Sequence, residues 1–258
     1  MLEIIQLSVV PVFLLIFART LAFFITVPLF SYRTIPTMFK IGFSFFLSLV
    51  IMTSMEAPVL DVDHIYFLLL LKEVAVGLAI GLIAYIILSA VQIAGGFIDF
   101  QMGFAIANVV DPQTGAQSPI IGQFFYMFAM LFLLSVNGHY LLIDGIFHSY
   151  QFITLEGFIE INGTFSEFII DTFNNMFIVA FQMALPIVGC LFLVDVALGL
   201  IARTVPQVNV FVVGLPLKIL VSFLVLSVFL SLYMMLAKFI FETMFLTMRQ
   251  LMEILGGS

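Results

Sequence analysis

Long apolar runs dominate the pattern of this chain. Residues 74–98, 172–194 and 219–237 contain no charged side chain, and neither does the interval between Asp111 and Asp144 with His139 counted as neutral. Runs near 20 residues are long enough to cross a bilayer as helices. Other stretches fit less simply. Residues 4–32 are apolar but hold Arg19 near their centre, and 41–55 form a short run between Lys40 and Glu56. Residues 139–156, "HYLLIDGIFHSYQFITLE", read as an amphipathic or re-entrant piece, and 211–247 read as one over-long helix or a bent pair. The pattern predicts an all-α, polytopic membrane protein of about six main helices with broken or re-entrant segments. Residues 1–255 read as a single membrane module, with Gly256, Gly257 and Ser258 set aside as a candidate vector-derived tail. The opening "MLEIIQLSVV" lacks the basic start of a secretory signal, so the first helix is expected to be retained.

Composition supports this picture. With 64% hydrophobic and 9% charged residues, the chain cannot supply the polar surface of a soluble domain. A net charge of −7 offers no basic face, which argues against nucleic-acid binding. Cys190 is the only cysteine, which excludes an internal disulfide; within "PIVGCLFLV" it reads as a small apolar filler. Trp is absent, so an interfacial aromatic belt must come from Tyr and Phe. The acidic stretches 57–64 and Glu156 to Asp171 lack Lys and Arg, whereas Arg33 with Lys40, and Arg203 with Lys218, flank basic connections. The positive-inside rule then places the N-terminus outside. The C-terminus stays open: Lys238 and Arg249 argue for inside, helix parity for outside.

Two polar islands interrupt the apolar pattern. The first is "GGFIDFQMGFAIANVVDPQTGAQSPIIGQ", residues 95–123, whose only charges are Asp99 and Asp111. Gly95, Gly96 and Gly103 allow bends or close backbone approach, and Pro112, Gly115 and Pro119 oppose a continuous helix. A nearly neutral polar loop among apolar helices fits a protein-walled, partly wet space. Met102 reads as core filler in preference to a soft pore seal. The second island is "RTVPQVNVF", residues 203–211. Pro206 ends or kinks the helix that starts near Asp195, and Gln207 and Asn209 are expected to bond carbonyls freed there. An ordinary cytoplasmic turn is the slightly preferred reading.

Arg19 is the strongest single anomaly. A helix-centre Arg is costly in lipid, so it must meet protein, water or a partner. A packed ion pair and a pore-related role are both open. Lys72 and Glu73 are adjacent and diverge by about 100° around a helix, so they are expected not to share a partner face. Lys72 reads as an interfacial anchor and Glu73 as the better candidate for a buried contact. Gly77 and Gly81 form a GxxxG, a spacing that lets two helix backbones approach closely; packing within this chain is preferred over a subunit contact. No catalytic constellation stands out. His64, His139 and His148 lie in no H-E-x-x-H, and Asp144 with His148 could touch on a helix but falls short of a metal site. An enzymatic role, a metal and a cofactor are therefore not expected.

Taken in order, these features resemble one family. Arg19 precedes "VPLF" with Pro28, then Pro36 and Lys40; "KEVAVGLAIG" follows, then "AGGFIDFQMGFAIANVVDP", "NGHYLLIDGI", Pro186, "DVALGLIARTVPQVNVF" and "GLPLK". The sequence is similar to the FliR family of flagellar export-apparatus proteins (SctT in injectisomes). The resemblance implies a FliP-like portion joined to a FliQ-like helical hairpin. It also implies assembly with FliP and FliQ into the export gate of the type III secretion system, alongside FlhB and FlhA. That gate sits in the bacterial inner membrane, within the flagellar basal body, and passes unfolded flagellar subunits. One loop of the family's proteins plugs the closed channel. By position that loop matches Asp111, Pro112, Gln113, Thr114, Gly115, Ala116, Gln117, Ser118 and Pro119, with Gln101, Met102 and Gly103 flanking it. Arg19, Glu73, Gly77, Gly81, Arg203, Pro206, Gln207 and Asn209 are the positions expected to hold the structure or its assembly. The main rival is a secondary transporter with broken helices, for which Asp99, Asp144 and Asp195 would be the coupling carboxylates. A purely structural scaffold is the third reading.

Overall fold

The computed structural model describes residues 9–32, 34–55, 63–104, 119–159, 163–207 and 209–257. Among them are seven α-helices and no strand. They are α1 (Val9–Thr26), α2 (Thr37–Ser54), α3 (His64–Met102), α4 (Ile120–Ser135), α5 (Gly138–Phe152), α6 (Gly163–Thr204) and α7 (Val210–Gly256). α1, α2, α3, α6 and α7 are each long and apolar enough to cross a membrane, and the pair α4 and α5 would make a sixth span if counted as one. The expected all-α membrane architecture of about six main helices is what the chain forms. The choice left open for 211–247 falls to one helix: α7 is 47 residues long and continues through Pro216. The 139–156 piece becomes the 15-residue α5, which starts beside Asn137 in the left-handed region at φ 59°. Asn tolerates that conformation better than most side chains, so it suits the break between α4 and α5.

By contacts the chain divides into two compact units, and α3, α6 and α7 contribute to both. The first comprises Met1–Ile87, Asn137–Phe173 and Glu242–Ser258. Its core includes Val12, Leu15 and Ile16 of α1, Ile51 of α2, Leu69 of α3, Tyr150 of α5 and Leu155. The GxxxG works within this chain, as the spacing suggested. A Cβ on Gly77 would overlap the Arg19 carbonyl oxygen, and one on Gly81 would overlap the Thr26 hydroxyl. The two glycines are what allow α3 to lie directly on the backbone of α1. Gly256, set aside above, is the last residue of α7, and a Cβ there would overlap the carbonyl of Phe152.

The second unit comprises Leu88–Val136 and Asn174–Phe241. Here α3 and α4 meet at another glycine pair: a Cβ on Gly95 would overlap the backbone of Gly122. Phe125 of α4 stacks on Tyr233 of α7 with ring centroids 4.2 Å apart. The Tyr233 hydroxyl donates to the Met183 carbonyl of α6 at 2.7 Å. That bond lies three residues before Pro186, which removes an N–H from the ladder of α6 without ending the helix. Cys190 is half-buried on α6, so it is a partial filler and not a core residue.

Candidate functional site

The first polar island is gripped at both ends. α3 closes at Gly103, whose φ of +90° only glycine adopts readily. The N–H of Gly103 donates to Phe100 O at 3.1 Å, and that of Phe104 to Asp99 O at 3.0 Å. At the far end, Pro119 precedes α4, whose first N–H groups have no helical partner. The Asp99 carboxylate accepts the Ile121 N–H, with oxygens at 3.1 and 3.3 Å. A carboxylate is favoured there by the exposed N–H groups and the positive end of the helix dipole. Asp99 is 6% exposed, so this bond is shielded from competing water.

Gln101 ties the same end of α3 to α6 and α7. Its Nε2 donates to Asp195 Oδ2 at 2.8 Å, and Asp195 forms an ion pair with Lys218. Lys218 Nζ also donates to the Gln101 carbonyl at 3.4 Å. The three residues close a ring across three helices, its last link running to the Gln101 backbone carbonyl. A cavity of about 450 Å³ adjoins it, lined among others by Phe100, Gly103, Asp195, Leu198, Phe211 and Lys218. Met102 is fully buried, consistent with core filler. Asp111, Pro112, Gln113, Thr114, Gly115, Ala116, Gln117 and Ser118 lie outside the described residues. Sequence reasoning missed the ring. Asp195 stands out in the sequence as a candidate coupling carboxylate and Lys218 as a topology marker, both within motifs of the family resemblance, but nothing local links positions so far apart.

A second cluster lies in the first unit. Arg19 and Glu73 are both fully buried and form a two-pronged pair, Nε to Oε2 at 2.5 Å and Nη2 to Oε1 at 3.0 Å. Nη1 donates to Ser149 Oγ at 3.1 Å and Nη2 to Ile153 O at 2.9 Å, while the guanidinium carbon lies 4.1 Å from the Tyr150 ring centroid. Of the two readings of Arg19, the packed ion pair is the one the geometry shows. Glu73 makes the buried contact expected of it. Lys72 does not behave as expected. It is 7% exposed, and its Nζ lies 2.8 Å from Glu73 Oε1. Both side chains are long and flexible, so adjacent positions that diverge at Cβ still meet at their tips.

The second island is a turn. α6 ends at Thr204, and residues 203–207, including Arg203, Pro206 and Gln207, are exposed. Asn209 was expected to bond freed carbonyls. Instead its Oδ1 accepts the N–H groups of Phe211 at 3.2 Å and Val212 at 3.4 Å. It caps the start of α7, because the orphan groups closest to it are donors. Asp144 and His148 do touch, at 3.3 Å, but as an exposed pair.

Comparison with known proteins accounts for nearly the whole chain. The family described as bacterial export proteins, family 1, matches residues 10–244. The flagellar biosynthetic protein FliR of Bacillus subtilis (strain 168) is 55% identical over 251 residues, 96% of this chain and 97% of that one. FliR of Escherichia coli (strain K12) is 28% identical, covering 88% of this chain and 87% of its own. The Yop proteins translocation protein T of Yersinia pestis is 29% identical over 67% of each chain. The two ends of the first polar island, the buried arginine and both glycine crossings all fall inside the matched residues, and the chain belongs to the bacterial export proteins of family 1.

Proposed function

We propose that this chain is a membrane-embedded subunit of the flagellar type III export apparatus. It builds the export gate together with FliP and FliQ in the inner membrane of the flagellar basal body, next to FlhB and FlhA. Its role is structural and not catalytic, and its substrates are unfolded flagellar proteins that pass through the gate. The full-length match to flagellar biosynthetic protein FliR carries this reading. The apolar surface supports it. Only 17% of the α2 and α7 spanning windows and 28% of that of α6 is buried within the chain, which leaves broad faces for lipid and for partner helices.

Within that gate, residues 111–119 act as the plug of the closed channel. The support is the grip on their flanks: Asp99 holds the start of α4, and Gln101 is tied to Asp195 and Lys218. A plug must be displaced by substrate while its flanks keep their places, and polar side-chain anchors at both ends suit that task. The test is deletion of Thr114 to Ser118, with membrane conductance compared at equal complex abundance. The deletion strain should leak ions while the complex still co-purifies with FliP and FliQ. Unchanged conductance with normal assembly would make the segment a connector and place the seal elsewhere.

A further inference from the structure

The turn that follows α5 aims its carbonyl oxygens at two buried cations. Ile153 O accepts from Arg19, and Lys72 Nζ donates to Thr154 O at 2.7 Å, Gly157 O at 2.9 Å and Leu155 O at 3.0 Å. Glu73 Oε1 is a fourth oxygen around the same Nζ, at 2.8 Å. An ammonium has three N–H donors, so one of them must be shared among these four oxygens. The acceptors outnumber what a lysine requires. Convergent backbone carbonyls are the means by which proteins replace the hydration shell of a monovalent cation. The charges point the same way: Arg19 and Lys72 bring two positive charges to the single negative charge of Glu73, and the carbonyl dipoles of one turn face the excess.

We propose that residues 153–157, with Glu73, form a monovalent-cation site whose resident cation is the Lys72 ammonium, and that the site takes a free ammonium-class cation when that side chain is cut away. Lys72 is then a positioning residue for the connection between α5 and α6. The inference rests on the first unit alone and stands whether or not residues 111–119 form a plug.

Hydrogen exchange of the peptide spanning 152–158 reads the state of the turn, in the full-length protein isolated with its membrane partners. Lys72→Ala in choline chloride should exchange at least about tenfold faster than the parent, because the carbonyls lose their donor. Ammonium or ethylammonium chloride at the same ionic strength should bring it back to within about threefold, while the parent stays indifferent to the salt. Lys72→Arg keeps the charge, but its planar fork cannot converge on four oxygens, so it should exchange fast in every salt. Lys72→Ala exchanging at the parental rate in choline, or equally fast in choline, ammonium and ethylammonium, would overturn the proposal. So would parental exchange in Lys72→Arg, which would mean that any positive charge suffices; that variant decides the matter if Lys72→Ala does not accumulate.

Discussion

Arg19 of α1 and Glu73 of α3 stand 54 positions apart and meet through two charged hydrogen bonds in a fully buried site. Breaking such a pair leaves one charge without its partner where water cannot reach it. Arg19→Leu should lower stability by about 3 kcal/mol, at the low end for a buried pair because Lys72 still neutralises Glu73. Arg249→Leu removes a pair with Glu253 that is 66% and 37% exposed, and should cost less than about 1 kcal/mol. Detergent-resistant thermal unfolding of the two variants, side by side, checks the difference. Equal and small effects would remove Arg19 from the structural core of the protein.

The glycine crossings make a second prediction with a built-in control. Helix-interior Gly→Ala is intrinsically favourable by up to about 1 kcal/mol, and Gly189→Ala should show this because nothing lies within 4 Å of the added carbon. Gly77→Ala and Gly81→Ala put the same carbon into the backbone and hydroxyl of α1 and should destabilise by about 1–3 kcal/mol. The sign of the change at 77 and 81 against 189, measured by unfolding of the purified variants, is the readout.

The ring of Gln101, Asp195 and Lys218 should matter more for the closed state than for folding. Asp195→Asn keeps the shape and weakens both links, and Gln101→Met cuts the link to α6 while leaving the ion pair intact. Both are expected to raise membrane conductance at normal complex abundance, with Asp195→Glu close to the parent. Parental conductance in both variants would reduce the ring to a structural tie.

Tyr233→Phe tests the support beside Pro186. The ring keeps its stack on Phe125, but the buried bond to the Met183 carbonyl is lost, which should cost about 1 kcal/mol. Phe125→Ala removes the ring itself and should cost about 3–5 kcal/mol. A Tyr233→Phe loss as large as that of Phe125→Ala would mean that the tie from α7 to α6, and not the stack on α4, carries this part of the second unit.

Much of this protein was legible from local chemistry. Apolar runs of spanning length imply helices because lipid leaves backbone groups no other partners, so the spanning parts of α3, α6 and α7 follow from uncharged runs, while the continuity of α6 through Asp195 and of α7 through 211–247 does not. Gly77 and Gly81 announced a close crossing by their spacing, and the cost of Arg19 in lipid called for protein, water or a partner without choosing between an ion pair and a pore. Tertiary structure decided who those partners are. The meeting of Lys72 with Glu73 is not encoded in Cβ directions, which say nothing of where a flexible stem ends. Asn209 accepts where donation is expected, because the choice depends on which helix end it faces. The ring of Gln101, Asp195 and Lys218 joins three helices far apart in sequence, and no periodicity within one helix encodes a meeting that only packing brings about.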